Sequence, residues 1–295
     1  MAPSTARLAA VVAMLGLAVP AGPAAQARER VAFVSVVNRA TGAPLTELTP
    51  RDIFIREDRV PREILRITRA AGPMPVAVLV DNSAGAEPAI ADIRNALTNF
   101  VTALGAVGPV SIIAMAERPT LVTDYTTTTA AVMAGIQRLF ARPGSGVTLL
   151  DAVLEAARGI QKREGERAAI VILGAGGVEQ SAEHYTRSLE FLTASGATLH
   201  AVLLSPPGRA GFDDARRQRD MLLDRGVNST GGLRRDVLAS MAFASALADL
   251  ARTLTHQFRV VYARPQTLIP PDSFEVAAAA PGHTAYGTAA RGQPK

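Results

Sequence analysis

Three short polar loops contain the residues whose chemistry could give this chain a function. The first reads Asp81-Asn82-Ser83-Ala84-Gly85 and follows the apolar run Val76–Val80. The second spans residues 144–148, and the third begins Gly174-Ala175-Gly176-Gly177 after another apolar run. A serine hydroxyl can act as a nucleophile, and a glycine-rich turn can bind phosphate through its backbone N–H groups. Both kinds of chemistry make specific demands on the neighbouring residues.

Neither enzymatic pattern is complete. Gly144-Ser145-Gly146 is not a nucleophile elbow, because Pro143 stands where the G-x-S-x-G pattern needs glycine. A serine hydrolase that uses Ser145 remains an alternative, and it requires a histidine within hydrogen-bond reach of that hydroxyl. In the glycine-rich turn, Glu179 occupies the place of the third glycine of G-x-G-x-x-G, and a carboxylate there opposes a pyrophosphate. The turn is therefore not expected to bind a nucleotide.

Composition excludes several other kinds of site. The 295 residues include no cysteine, which excludes disulfides, thiolate zinc sites, iron–sulfur clusters and a cysteine nucleophile. The four histidines show no close pairing, so a histidine-based metal centre is not expected; they are His184, His200, His256 and His283. The 31 basic residues only modestly exceed the 26 acidic ones, and the short arginine clusters lack aromatic neighbours that could stack on bases. We therefore expect no nucleic-acid partner.

The N-terminus reads as a secretory signal peptide. Arg7 precedes an apolar stretch over residues 8–19, which is too short to span a bilayer, and Ala25-Gln26-Ala27 offers the small residues of a cleavage site. We predict cleavage near Ala27 and export to the periplasm or beyond. No later stretch is long enough for a transmembrane segment, so the mature protein is expected to be soluble.

Apolar strand-like runs alternate with helical patterns through the middle of the chain. The predicted strands cover residues 76–80, 110–116, 120–123, 168–173, 198–204 and 258–262, and the predicted helices cover 90–104, 130–140, 149–160, 181–193 and 238–254. Such alternation predicts an α/β fold with a doubly wound, mostly parallel sheet and helices on both faces. Ligands of these sheets bind at the carboxyl ends of the strands, where the three polar loops should meet.

Changes in pattern divide the chain into segments. We predict a signal peptide (1–27), a small β-rich leader (28–72), an α/β domain (73–264) and a C-terminal extension (265–295). In the leader, Thr49-Pro50 fits the start of a single helical turn. Residues 206–232, rich in arginine, aspartate and glycine, are interpreted as a partly helical insertion in the α/β domain. The extension is expected to form at most one β-hairpin.

The first polar loop resembles the metal-ion-dependent adhesion site of von Willebrand factor A domains. That site opens with Asp-x-Ser-x-Ser and adds a threonine from a later loop and an aspartate after the fourth strand. The matching positions here are Asp81, Ser83, Gly85, Thr148 and Ala175. Thr148 lies in Gly146-Val147-Thr148-Leu149-Leu150-Asp151, which is similar to the family's Gly-x-Thr-x-Leu-x-Asp run.

The resemblance implies a degenerate metal site, because Gly85 and Ala175 replace two family ligands. Mg²⁺ needs about six oxygen ligands, and one formal negative charge remains where the family has two. We therefore expect no cofactor and no strong metal binding. Weak binding of Mg²⁺ or Mn²⁺ with help from Glu179 is one alternative. Helix capping by Asp81, Ser83 and Thr148 is another.

The flanking segments resemble exported bacterial "VWFA-related" proteins. In the leader, the likeness lies in residues 42–45, 48–53 and 56–58, and near the end it lies in residues 231–232, 257–262 and 264–265. The resemblance implies a six-stranded Rossmann-like sheet and a protein-binding role without catalysis. The expected partner is a protein of the cell envelope or the extracellular space.

Overall fold

The structure, a computed structural model, describes residues 27–205, 213–265, 269 and 271–292. The predicted signal peptide lies outside these residues except for Ala27, at which the first strand begins. Among the described residues, no helix is long and apolar enough to cross a membrane.

Strands and helices are numbered in chain order. The strands are β1 (Ala27–Asn38), β2 (Ile53–Glu57), β3 (Val60–Arg62), β4 (Ile64–Arg69), β5 (Val76–Val80), β6 (Val110–Ala114), β7 (Thr120–Thr126), β8 (Ala169–Gly174), β9 (Thr198–Leu204), β10 (Arg234–Val237), β11 (Phe258–Pro265), β12 (Phe274–Ala278) and β13 (His283–Ala289). The helices are α1 (Ile90–Leu104), α2 (Thr129–Gln137), α3 (Leu149–Gln161), α4 (Tyr185–Ser195), α5 (Asp214–Ser229) and α6 (Phe243–Thr255).

A six-stranded sheet forms the centre of the molecule, with the order β10-β9-β8-β5-β6-β7. The pairings are parallel except that β7 runs antiparallel to β6. Every residue of β5, β6 and β8 is buried, because helices cover both faces of the sheet. The predicted Rossmann-like α/β architecture is thus confirmed.

The two faces of this sheet bury separate sets of apolar side chains. Helices α1, α2 and α6 pack on one face, where α1 contributes Ile93, Leu97 and Phe100 at helical spacing. Helices α3, α4 and α5 pack on the other face, where α3 contributes Val153 and Ile160.

The predicted insertion contains a helix of the main fold. Helix α5 buries Leu222, Leu223 and Val227 against the sheet, and β10 follows it as the sixth strand. The many charged residues of α5 mask this short apolar stripe in the sequence. Phe258 to Tyr262, predicted as the last strand of the α/β sheet, belongs to another sheet.

Strands from the N-terminal and C-terminal parts of the chain form two further sheets, which together are called the β unit (β1–β4 and β11–β13). One sheet has the order β13-β1-β11-β4 and the other has the order β12-β2-β3. Their facing sides bury Val34, Ile53, Ile55 and Val260. The leader is therefore completed by C-terminal strands, and β12 and β13 join different sheets instead of forming the predicted hairpin.

Local polar contacts replace the helical turn predicted at Thr49-Pro50. The backbone N–H and hydroxyl of Thr49 both donate to Oδ2 of Asp52, each over 2.7 Å. Asp52 N–H donates back to the Thr49 carbonyl over 3.0 Å, which closes a tight turn just before β2.

Candidate functional site

The three polar loops meet at the carboxyl edge of the six-stranded sheet. Backbone hydrogen bonds link their starting points: Asp81 N–H donates to the Leu173 carbonyl over 2.9 Å, and Met115 N–H donates to the Val80 carbonyl over 3.0 Å. Thr148 N–H in turn donates to the Met115 carbonyl over 2.8 Å. Parallel strands that end at one edge thus bring together residues far apart in the chain, as the sequence predicted.

Asp81 is buried, and donors from the protein itself surround its carboxylate. Oδ1 accepts from the Ser83 N–H over 3.0 Å and from the Ser83 hydroxyl over 2.6 Å. Oδ2 accepts from the N–H of Ala175 over 2.9 Å and from the N–H of Gly177 over 3.1 Å. Both oxygens are therefore occupied, and their bonds join the first loop to the third.

Gly85 touches the third loop so closely that a side chain has no room. A Cβ built at this position would lie 2.9 Å from the Gly177 Cα and 3.1 Å from the Gly176 carbonyl oxygen. A Cβ at Gly177 would lie 2.1 Å from the Ser83 hydroxyl oxygen. The contact between the two loops thus depends on glycine at both positions.

Thr148 and Ser83 do not cap helices through their side chains. The Thr148 hydroxyl donates to the Met115 carbonyl over 2.9 Å, and the Ser83 hydroxyl is bound to Asp81. Instead of capping a helix, the Thr148 hydroxyl links two loops, and the Ser83 hydroxyl holds Asp81 within the first loop.

Glu179 supports the N-terminus of α3 instead. Its Oε1 accepts from the Leu149 N–H over 3.2 Å and from the N–H and hydroxyl of Ser181 over 3.0 and 2.6 Å. Its Oε2 is buried and has no hydrogen-bond partner among the described residues. Burial raises the pKa of this carboxyl, although the bonds from Ser181 oppose the rise. Because Leu149 lies 30 residues earlier in the chain, no local sequence pattern predicts that Glu179 contacts the start of α3.

Residues 76–178 match the family model described as the von Willebrand factor type A domain. They contain β5, β6, β7 and β8 together with the first and second polar loops. This stretch of the chain is thus similar to a von Willebrand factor type A domain, and the α/β part of the chain from β5 to β10, with α6, is called the A domain below. This family is one of protein-interaction modules.

A solved structure shares the fold of this A domain at low sequence identity, and a second matches the chain with a lower TM-score. A von Willebrand factor type A protein from Catenulispora acidiphila is 10% identical with a TM-score of 0.52, and the match covers 83% of this chain and 66% of that one. This chain thus spans slightly less than two thirds of that protein. BatB from Bacteroides thetaiotaomicron is 14% identical with a TM-score of 0.46, covering 61% of this chain and 98% of that one. No curated protein matches the chain.

The side-chain oxygens available in this A domain do not fit the divalent cation of the family's adhesion site. Asp81 already accepts four hydrogen bonds, and Gly85 and Ala175 contribute no side-chain oxygen. Glu179 Oε1 already accepts a hydrogen bond from the Leu149 N–H at the start of α3. Within residues 27–205, 213–265, 269 and 271–292, no group of three or more histidine, aspartate or glutamate side chains is placed to hold a metal. An octahedral oxygen shell would require these loops to separate.

The enzymatic alternatives find no support in the A domain's geometry. The Ser145 hydroxyl donates to the Arg142 carbonyl over 2.7 Å. In the described part of the chain, no histidine is hydrogen-bonded to it. In the glycine-rich turn, the N–H groups of Ala175 and Gly177 point at Asp81 and are not free to bind phosphate.

Large apolar side chains stand around the polar loops, a feature that sequence reasoning missed. Val178 and Phe140 lie on the loops of this edge, and Asn82 Nδ2 donates to the Phe140 carbonyl over 3.0 Å. Leu238 and Met241 follow the end of β10. Each of the four is more than half exposed. Phe140, Leu238 and Met241 fall at the ends of the helices predicted over 130–140 and 238–254, but α2 ends at Gln137 and α6 begins at Phe243. Val178 gives no periodic signal, so the exposure of all four had to come from the structure.

Proposed function

We propose that the A domain is a metal-independent protein-binding module without catalysis of its own, exported through the N-terminal signal peptide. Its binding surface is the carboxyl edge of the six-stranded sheet. The observation that carries the proposal is the Asp81 carboxylate, whose oxygens accept four hydrogen bonds from Ser83, Ala175 and Gly177. A carboxylate that accepts four hydrogen bonds holds the first and third loops together. Its charge is stabilised by these donors, so it does not need a cation to neutralise it.

Exposed apolar groups support protein binding at this edge. Phe140, Val178, Leu238 and Met241 leave apolar area in water next to rigidly linked loops. Large exposed apolar side chains along one edge favour protein contact there, since their burial favours association. The proposed partner is a protein of the envelope or the extracellular space that presents an apolar surface.

Metal titration tests whether the A domain is independent of divalent cations. Calorimetric titration of the full chain with MgCl₂ and with MnCl₂ is expected to give no saturable heat. Micromolar binding that disappears in Ser83→Ala would overturn metal independence and favour the family's usual site. Asp124→Asn, which alters an exposed carboxylate outside these loops, serves as the matched control.

Capture from the organism's envelope fraction tests the surface. A partner retained by the wild type is expected to be lost by Met241→Asp and by Leu238→Asp. It should be kept by Leu65→Asp, which changes an exposed leucine of β4 in the β unit. Equal retention by all variants would exclude this edge as the binding surface.

Export has its own test. Fusing residues 1–27 to alkaline phosphatase, which needs disulfides formed outside the cytoplasm, is expected to give an active reporter. Leu15→Arg, which interrupts the apolar stretch, should abolish that activity. An inactive wild-type fusion would contradict export.

A further inference from the structure

Three arginines converge at one end of the β unit, outside the A domain. Arg30 lies directly opposite Tyr262 in the antiparallel pairing of β1 and β11, so both side chains face the same side of the sheet. That side is the buried one, since Ala32 and Val260 are also on it. Arg264 continues the same face of β11. The inner face of the β unit thus changes from apolar residues to guanidinium groups as β1 and β11 reach this end.

These guanidinium groups are unusually buried for their charge. Arg30 is 8% exposed and Arg264 is 7% exposed. Arg62 of β3 enters from the other sheet with a side chain that is 15% exposed. Arginine stays protonated in proteins, so the cluster holds three positive charges.

One buried carboxylate faces them. Glu57 Oε2 lies 3.0 Å from Arg62 Nε and 3.4 Å from Arg264 Nε. Glu57 Oε1 accepts from the Tyr262 hydroxyl over 2.8 Å. The neighbouring Asp58 is turned to the surface, where it accepts from Ser273. The buried cluster therefore carries more positive than negative charge.

Arg30 has no acidic partner. Every aspartate and glutamate of the chain lies in the part that the structure describes, and none forms an ion pair with Arg30. Its Nε is buried and lacks a hydrogen-bond partner among the described residues. A buried cation without a counter-charge is costly, so an external anion would stabilise it.

The geometry points to an oxyanion site in the β unit, formed by Arg30, Arg62 and Arg264, that binds a free phosphate or a phosphate monoester. Planar guanidinium groups donate in pairs to the oxygens of such anions. The anion would enter beside Arg62, the most exposed of the three. It would supply acceptors to Arg30, while Glu57 keeps Arg62 and Arg264 in place.

Calorimetric titration of the full chain with inorganic phosphate at constant ionic strength tests the site. Saturable binding is expected in the wild type, weakened about tenfold or more in Arg30→Gln because charged hydrogen bonds are lost. Arg66→Gln is the matched control, since Arg66 is an exposed arginine of β4 paired with Glu29. Absence of saturable phosphate binding in the wild type, or equal affinity in Arg30→Gln, overturns the proposal.

Two further measurements check the folding of the variant and the source of the phosphate. Circular dichroism checks that Arg30→Gln is folded, and Arg62→Gln takes its place if it is not. Co-sedimentation with phosphatidylcholine vesicles containing phosphatidic acid separates a lipid phosphate from a free one. Arg30-dependent sedimentation assigns the site to a headgroup, whereas Arg30-dependent calorimetric binding without sedimentation assigns it to a soluble phosphate.

Discussion

The backbone N–H of Ala175 donates to Oδ2 of Asp81 over 2.9 Å. The position at which the von Willebrand factor A family carries a second carboxylate thus contributes a hydrogen-bond donor from its backbone and a methyl group from its side chain. Ala175 is buried, so any charge placed there would share a site with Asp81.

Ala175→Asp is therefore expected to destabilise the fold by about 3 kcal/mol or more, because an unpaired buried charge adds to repulsion from Asp81. Urea unfolding measures the change. The exposed substitution Ala131→Asp on α2 should cost little. An unchanged midpoint for Ala175→Asp would mean that the third loop separates from Asp81 easily.

Gly85→Ser should also destabilise the protein, by about 1–3 kcal/mol, since its Cβ would meet the backbone of Gly177 and force the loops apart. The neighbouring Ala84→Ser is the control for adding a hydroxyl to this loop. Thermal unfolding distinguishes them, and equal melting temperatures would show that the contact at Gly85 is loose.

His200 should make stability depend on pH. The side chain is buried, its Nδ1 accepts from the Leu233 N–H over 3.0 Å, and burial lowers its pKa from 6.5 to about 4. Because the folded pKa is the lower one, the unfolded chain binds the proton more readily. Stability is then lost as pH falls from about 6.5 to about 4, by about 3 kcal/mol in all.

Urea unfolding of the wild type and His200→Asn across that pH range measures this contribution. The variant should lose less stability on acidification, although it is less stable at pH 7. His256→Asn, which changes a helix-terminal histidine hydrogen-bonded to the Arg252 carbonyl, should follow the wild type. A parallel pH dependence in wild type and His200→Asn would contradict the role of His200.

Arg291 links the C-terminal residues to the A domain. Its guanidinium donates to the carbonyls of Ser195 over 2.7 Å and Ile160 over 2.9 Å, and also to those of Arg163 and Gly165. Arg291→Ala should cost about 2 kcal/mol or more, because it leaves partly buried carbonyls at the ends of α3 and α4 without a donor.

Guanidinium chloride unfolding tests this expectation, with Arg187→Ala as the control. Arg187 is an exposed arginine of α4 paired with Glu183, so its removal should change stability by less than about 1 kcal/mol. Similar effects of the two substitutions would show that the C-terminal residues are not anchored through Arg291.

Local patterns were enough to predict the centre of the fold. The sequence placed strands at Val76–Val80 and Thr198–Leu204 with the bounds that the structure has, and it placed α1 at residues 90–104. Continuous apolar runs and 3.6-residue periodicity depend only on neighbours in the chain. The same reasoning predicted helix within residues 206–232 but not its packing on the sheet, because the apolar stripe of α5 is short among many charges. It missed the sixth strand, Arg234–Val237, which is polar.

By itself, the sequence determined which residues could meet at the carboxyl edge of the sheet: Asp81, Ser83 and Thr148 each follow or precede a recognisable element. Only the tertiary structure decided what they do there. The donors to Asp81 Oδ2 come from 94 and 96 residues away, and β1 finds its partners β11 and β13 at the other end of the chain. Long-range hydrogen bonds and close backbone contacts depend on how elements pack, and no local pattern encodes that packing.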